Sequence, residues 1–280
     1  YLRRQTVMAI NFDKVPGYIR KEIDPPTKAL KRGAKGVRVK QVQEWLQYHT
    51  CRTAIDSDYG PATAACVNDF QKKKKLGQTG TVDKKTWLAL VKPMTDALAQ
   101  PKITATESAP TTVKKISMQH VKQHPHEIGG SNRGPWVRLY CGGNDGPEWA
   151  WCAGFVTLVM QQAYFYRDEK TPIKGSVSCD SLAAQGKEKH LFITESQVRK
   201  NKISWSDFGG SCLFLRRRTN TDWTHTGIAT TADGSGNDLV FHTIEGNTND
   251  EGIREGFEAC ERKRSFTGST YDFVSFIPID

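Results

Sequence analysis

The stretch Glu148–Ala163, EWAWCAGFVTLVMQQA, decides how the second half of the chain is read. Phe155, Val156, Val159 and Ala163 follow Cys152 at helical spacing, which predicts a buried helix with Cys152 at or near its first turn. The backbone N–H groups and partial positive charge of a helix N-terminus stabilise a thiolate, and the thiolate is the nucleophilic form of cysteine. Buried cysteines are also common as inert packing. The rest of the chain must therefore supply a base before Cys152 reads as chemistry.

Downstream of that helix, Arg167 to Asp207 is long, polar and weakly periodic, and the period then changes to two. Ser211–Leu215, Thr224–Thr231, Asp238–Gly246 and Tyr271–Pro278 read as strands, with a strong hairpin turn, ADGSGND, at 232–238. A turn centred near Ser235 sets His225 opposite Glu245, on one sheet face, as a base and its orienting carboxylate require. Asn247 falls on the same face if the strand continues, and His242 falls on the other. A bulge would break this count, because one slipped residue flips every side chain. A helix packed on an antiparallel sheet makes the second half α+β.

Upstream, residues 1–27 read as an N-terminal arm interrupted by Pro16, Pro25 and Pro26. Residues 28–92 then predict three helices. The first carries Val39, Val42 and Leu46; the second starts near Pro61 and carries Thr63, Cys66, Val67 and Phe70; the third, capped by Asp83, carries Trp87, Leu88 and Val91. Residues 93–115, rich in Pro, Thr, Ser and Ala, read as a linker, and 116–280 as the second domain.

Gly33, Gly36, Val39, Gln43 and Leu46, then Asp58, Tyr59, Gly60, Thr63, Val67, Phe70 and Gln71, then Leu76, Gly80, Thr86, Trp87 and Leu90 follow a known order. It resembles the three-helix peptidoglycan-binding domain of many cell-wall hydrolases. Ser57 and Lys75 stand where that family usually has glycine.

A second resemblance covers about 116–280. GGSNRGPWVRLY, PEWAWCAGFV, THTGIAT and TIEGNTND look like the catalytic domain of the CHAP family, cysteine amidases and peptidases of the papain-like NlpC/P60 group. The family's usual Gly-Asp strand start is missing, with Gly210, Ser211 and Cys212 in its place. The resemblance implies a papain-like α+β domain that cleaves amide bonds of peptidoglycan, with Cys152 as nucleophile, His225 as general base, and Glu245 and Asn247 as the further polar residues. It implies no cofactor. The bond could be that of an N-acetylmuramoyl-L-alanine amidase or of a peptide endopeptidase. Rival readings are a wall-binding protein without catalysis, and a bacterial autolysin or exported antibacterial effector with the same chemistry.

The net charge of +10 is concentrated early: residues 1–115 hold 22 Lys/Arg against 10 Asp/Glu. Such a surface favours a polyanion. Interleaved aromatics and a recognition helix are both lacking, so nucleic acid is not the expected partner. Peptidoglycan is, together with anionic cell-envelope polymers. No stretch is long enough to span a membrane. The apolar patch Val7–Ile10 is too short for the core of a secretory signal, so action at the wall implies release or export by another route, which suits a phage endolysin. Seven cysteines with no C-x-x-C spacing argue against structural zinc, and His124 and His126 lack the companions of a metal site. A monomer is expected.

Overall fold

The computed structural model describes residues 15–248 and 256–279. The fold is α+β: ten α-helices and a six-stranded antiparallel sheet among the described residues. The chain divides into two compact units, one helical and one built on the sheet.

The helical unit takes residues 15–96 and Glu127–Trp149. Its three central helices are α2 (Val37–Tyr48), α3 (Pro61–Lys73) and α4 (Lys84–Leu90), where the apolar spacing predicts them. Val42, Trp45, Val67, Phe70, Trp87 and Leu90 form the core. The Asp83 side chain caps α4, accepting from the Thr86 N–H at 2.8 Å. Two buried glutamines hold the loops. Gln43 Nε2 donates to Asp56 Oδ1 at 2.7 Å and to the Asp58 carbonyl at 3.0 Å, while its Oε1 accepts from Ser57 N–H. Gln71 likewise accepts from the N–H groups of Thr79 and Gly80 and donates to the Thr81 carbonyl. A disulfide joins Cys51 to Cys66. Ser57 and Lys75 both adopt left-handed backbone, φ 65° and 57°, so the turns keep the conformation that glycine would favour.

The boundaries read from sequence need three corrections. The expected arm 1–27 contains α1 (Gly17–Ile23), which buries Ile19 and Ile23 and accepts the Trp87 indole N–H on the Ile23 carbonyl. Residues 1–14 of that arm lie outside the described residues. The expected linker 93–115 is structured: it includes most of α5 (Lys92–Leu98), and α6 (Ala109–Val121) starts at the Ser108 cap and buries Val113 and Ile116. Its small residues are helix-cap and packing positions, which composition alone does not separate from a linker.

The third correction concerns residues 127–149, which belong with the helical unit and not with the domain expected from 116 onward. There α7 (Pro135–Tyr140) sets Trp136 edge-on to Trp45 at 6.1 Å. Arg138 is half-buried among three carboxylates, pairing with Glu22 at 2.7 Å, Glu44 at 2.6 Å and Asp145 at 2.9 Å. A guanidinium so enclosed fixes the segment to α1 and α2.

The sheet unit takes residues 97–126 and 150–279. Helix α8 (Cys152–Arg167) is buried along most of its length, and α9 (Cys179–Glu188) and α10 (Glu195–Arg199) follow it. The strands are β1 (Phe192–Ile193), β2 (Cys212–Thr219), β3 (Asp222–Asp233), β4 (Val240–Thr248), β5 (Glu258–Ser265) and β6 (Thr270–Ser275). They lie in the order β1-β6-β2-β3-β4-β5. Register partners share a face. One face therefore carries Leu213, Ile228, Ile244 and Val274, and the other Cys212, Phe214, Ala229 and Phe273. That second face belongs to an aromatic cluster with Phe208, Phe241 and Tyr271. No described helix is long and apolar enough to cross a membrane.

Candidate active site

Cys152 is the first residue of α8, as its spacing predicts, and its side chain is buried. At that position its N–H has no acceptor four residues back within the helix. The region Arg167 to Asp207, unreadable as a periodic pattern, supplies its nearest sulfur neighbour. Cys179, the first residue of α9, sits with its Sγ 3.9 Å from that of Cys152.

His225 and Glu245 meet, but not as directly opposed residues. The β3–β4 ladder pairs Asp233 with Val240 and Ala232 with Phe241, then Ala229 with Thr243 and Ile228 with Ile244. Between these pairs β3 advances three residues and β4 two, which is a β-bulge. Without the bulge, the turn-side register would send His225 and Glu245 to opposite faces. With it they share a face, and the register continues so that Glu245 lies across from Gly227. His225 then reaches Glu245 on the diagonal, with Nε2 2.8 Å from Oε2. Gly227 is required by this contact. A Cβ there would come within 2.7 Å of Glu245 Cγ and 2.6 Å of the Phe214 ring.

Glu245 is fully buried and held on several sides. Arg264 Nε donates to it at 2.8 Å and Arg264 Nη2 at 2.5 Å, and Thr243 Oγ1 donates at 2.5 Å. Arg264 stands on β5, a strand the sequence reading missed because its charged residues hide the alternation. Its pairing with Phe241 of β4 is visible only in the register of the sheet.

Asn247, the fourth expected residue, is buried at the end of β4 with φ 52°. Its Oδ1 makes no hydrogen bond among the described residues. His242 points elsewhere, half-buried and 3.4 Å from Asp233 near the turn.

The electrostatics follow from these contacts. For Cys152 the Cys179 thiol does most to lower the pKa; burial opposes this, His225 and the Thr226 N–H add to it, and the thiol lies well below its ordinary value. Cys179 is pushed the other way, by Cys152 and by burial. Burial would lower the His225 pKa, but Cys152 and Glu245 outweigh it and raise it to about 9. Burial also opposes ionisation of Glu245, yet His225 and Arg264 hold its carboxyl well below the usual range. These contacts favour a thiolate at Cys152, an imidazolium at His225 and a carboxylate at Glu245. With Nε2 committed to Glu245, Nδ1 is the nitrogen left to exchange a proton with Cys152.

No group of three or more His, Cys, Asp and Glu among the described residues could hold a metal ion. Beside Thr224 a groove of roughly 620 Å³ is lined by Arg199, Arg216, Arg217, Arg218 and Thr270.

Comparison with known proteins bears on the other unit. No curated protein matches the chain. Among solved structures the chain is similar to the SleB N-terminal domain, at 30% identity and a TM-score of 0.24, over 24% of this chain and 94% of that one. Residues 35–90, within the helical unit, match the family described as a putative peptidoglycan binding domain.

Proposed function

We propose that the protein is a peptidoglycan hydrolase that cleaves an amide bond of the cell wall through a thioester on Cys152. The observation that carries this reading is the buried His225–Glu245 contact, with Cys152 at a helix N-terminus on the other side of the imidazole. The peptidoglycan-binding family match supplies the substrate class.

In this mechanism the Cys152 thiolate attacks an amide carbonyl, and the Cys152 N–H donates to the developing oxyanion. His225, charged beforehand, gives its Nδ1 proton to the leaving amine. It then takes a proton from the water that hydrolyses the thioester. Glu245 keeps the ring oriented and favours its charged form, while Arg264 and Thr243 keep the carboxylate ionised and immobile. The arginine-lined groove suits the acidic groups of wall stem peptides. Asn247 is retained as a secondary polar residue of the site, and anionic wall polymers as a further partner of the basic helical unit.

The test is lysis and binding measured on the same purified walls. Cys152→Ala is expected to abolish lysis and leave binding intact. Full lysis by that variant would overturn the reading. A wall-binding protein without catalysis would instead show a Cys152 unreactive toward iodoacetamide near neutral pH.

A further inference from the structure

We propose that Cys152 and Cys179 form a reversible disulfide when the protein meets a hydroperoxide, and that this bond shuts the site and protects its sulfur. The inference rests on the reading of Cys152 as the nucleophile. The geometry that carries it is the 3.9 Å separation of the two sulfurs, each at the first residue of its helix.

Cys179 is not beside Cys152 by accident of a loose loop. On its N-terminal side, Thr157 of α8 donates to the Ser176 carbonyl at 2.7 Å and accepts from the Ser176 N–H at 3.0 Å. On its C-terminal side, Asp180 accepts the Trp223 N–H at 2.7 Å. The start of α9 is thus tied to α8 and to β3, on either side of the thiol. A disulfide needs the sulfurs at about 2.05 Å, so they must close by just under 2 Å. Rotation about the two Cα–Cβ bonds supplies motion of that order. Cys152 is 5% exposed and Cys179 8%, so a small peroxide suits the site better than a bulky disulfide reagent.

The chemistry balances in two steps. The Cys152 thiolate attacks one peroxide oxygen, the O–O bond breaks, and the other oxygen leaves as hydroxide and is protonated to water. The sulfur is oxidised by two electrons to the sulfenic acid, and the peroxide is reduced. Cys179 sulfur then attacks the sulfenic sulfur, an S–S bond forms, the S–O bond breaks, and the oxygen departs as water with the Cys179 proton. Without a second thiol, further peroxide would carry Cys152 to the sulfinic acid, which thiols do not reverse.

The experiment treats the full chain with hydrogen peroxide, alkylates it with iodoacetamide and analyses the digest by mass spectrometry. A peptide linking Cys152 to Cys179 is expected in the wild type. Lysis, taken relative to each protein's own untreated rate, should fall about tenfold or more in wild type and return to within about twofold after dithiothreitol. Cys179→Ser and Cys179→Ala should fall and fail to return, with Cys152 recovered as sulfinic acid. Sulfinic Cys152 in the wild type without the linked peptide would overturn the proposal, as would equal recovery in all three proteins. The linked peptide is read without activity, so an amidase reading disproved by Cys152→Ala is distinguishable from failure of the disulfide.

Discussion

Two histidines in the sheet unit are buried to the same degree and titrate in opposite directions. His120 faces the neutral amide of Gln162, 2.9 Å away, and burial lowers its pKa to about 4. His225 faces the Glu245 carboxylate and the Cys152 sulfur, and its pKa rises to about 9. Partner charge, not burial, separates a packing histidine from one ready to move a proton. Wall lysis should therefore fall as pH rises through about 9, where the imidazolium is lost; a pH profile of initial rates checks this. The same shift affects stability. A group whose pKa is raised on folding contributes fully below its unfolded value of about 6.5, and the contribution is lost as pH rises through the folded value. Glu245, depressed on folding, contributes above its unfolded value of about 4.3 and loses that contribution as pH falls. Thermal melts should show the sheet unit losing stability as pH falls below about 4.3, where the unfolded Glu245 takes up its proton first. Glu245→Gln should reduce the lysis rate by roughly a hundredfold or more, by removing the charge that holds the imidazolium. Its pH profile should fall off at lower pH than that of the wild type, which loss of packing alone would not produce.

At the level of elements, the site depends on one extra residue in β3 and one missing side chain at 227. Gly227→Ala should destabilise the protein by about 1–3 kcal/mol, because Phe214 and Glu245 cannot both retreat from a core position. It should also lower lysis more than stability, since Glu245 is displaced from His225; comparing denaturant midpoints with rates separates the two. In the helical unit the expectation has the opposite sign. Ser57→Gly and Lys75→Gly relieve left-handed backbone at side-chain-bearing residues, and each should stabilise by about 0.5–1 kcal/mol in chemical denaturation. These positions also show what could be read in advance. The three helices of residues 28–92 were legible because each buries a stripe at 3.6-residue spacing. Cys152, His225 and Glu245 were legible because their positions fix side and order along elements. The register itself was not, because a bulge has no periodic signature and its one-residue shift happened to restore the shared face. Helices α9 and α10 announce themselves only by caps, Ser178 and the Thr194–Gln197 capping box, with too little apolar surface for periodicity to register. Arg264 and Cys179 were hidden for that reason: partners brought in from distant elements leave no spacing to read.

For the whole molecule, charge and sulfur set the terms. The described residues of the helical unit hold 18 Lys/Arg against 11 Asp/Glu, and the run Lys72–Lys75 is exposed. Wall binding should weaken as sodium chloride rises from about 0.05 to 0.5 M, where the screening length falls to a few ångströms; pull-down on purified walls measures it. Arg138→Ala should cost about 3–5 kcal/mol, because it leaves three carboxylates together without their cation. The Cys51–Cys66 bond closes a short loop between α2 and α3 and contributes about 3 kcal/mol by restricting the unfolded chain. The molecule thus makes opposed demands on its surroundings: Cys51 and Cys66 must stay joined for the helical unit to keep its staple, while Cys152 and Cys179 must stay apart for the proposed chemistry to run. Storage and assay therefore have an expected optimum of reducing strength, too little silencing the proposed site and too much opening the staple of the helical unit.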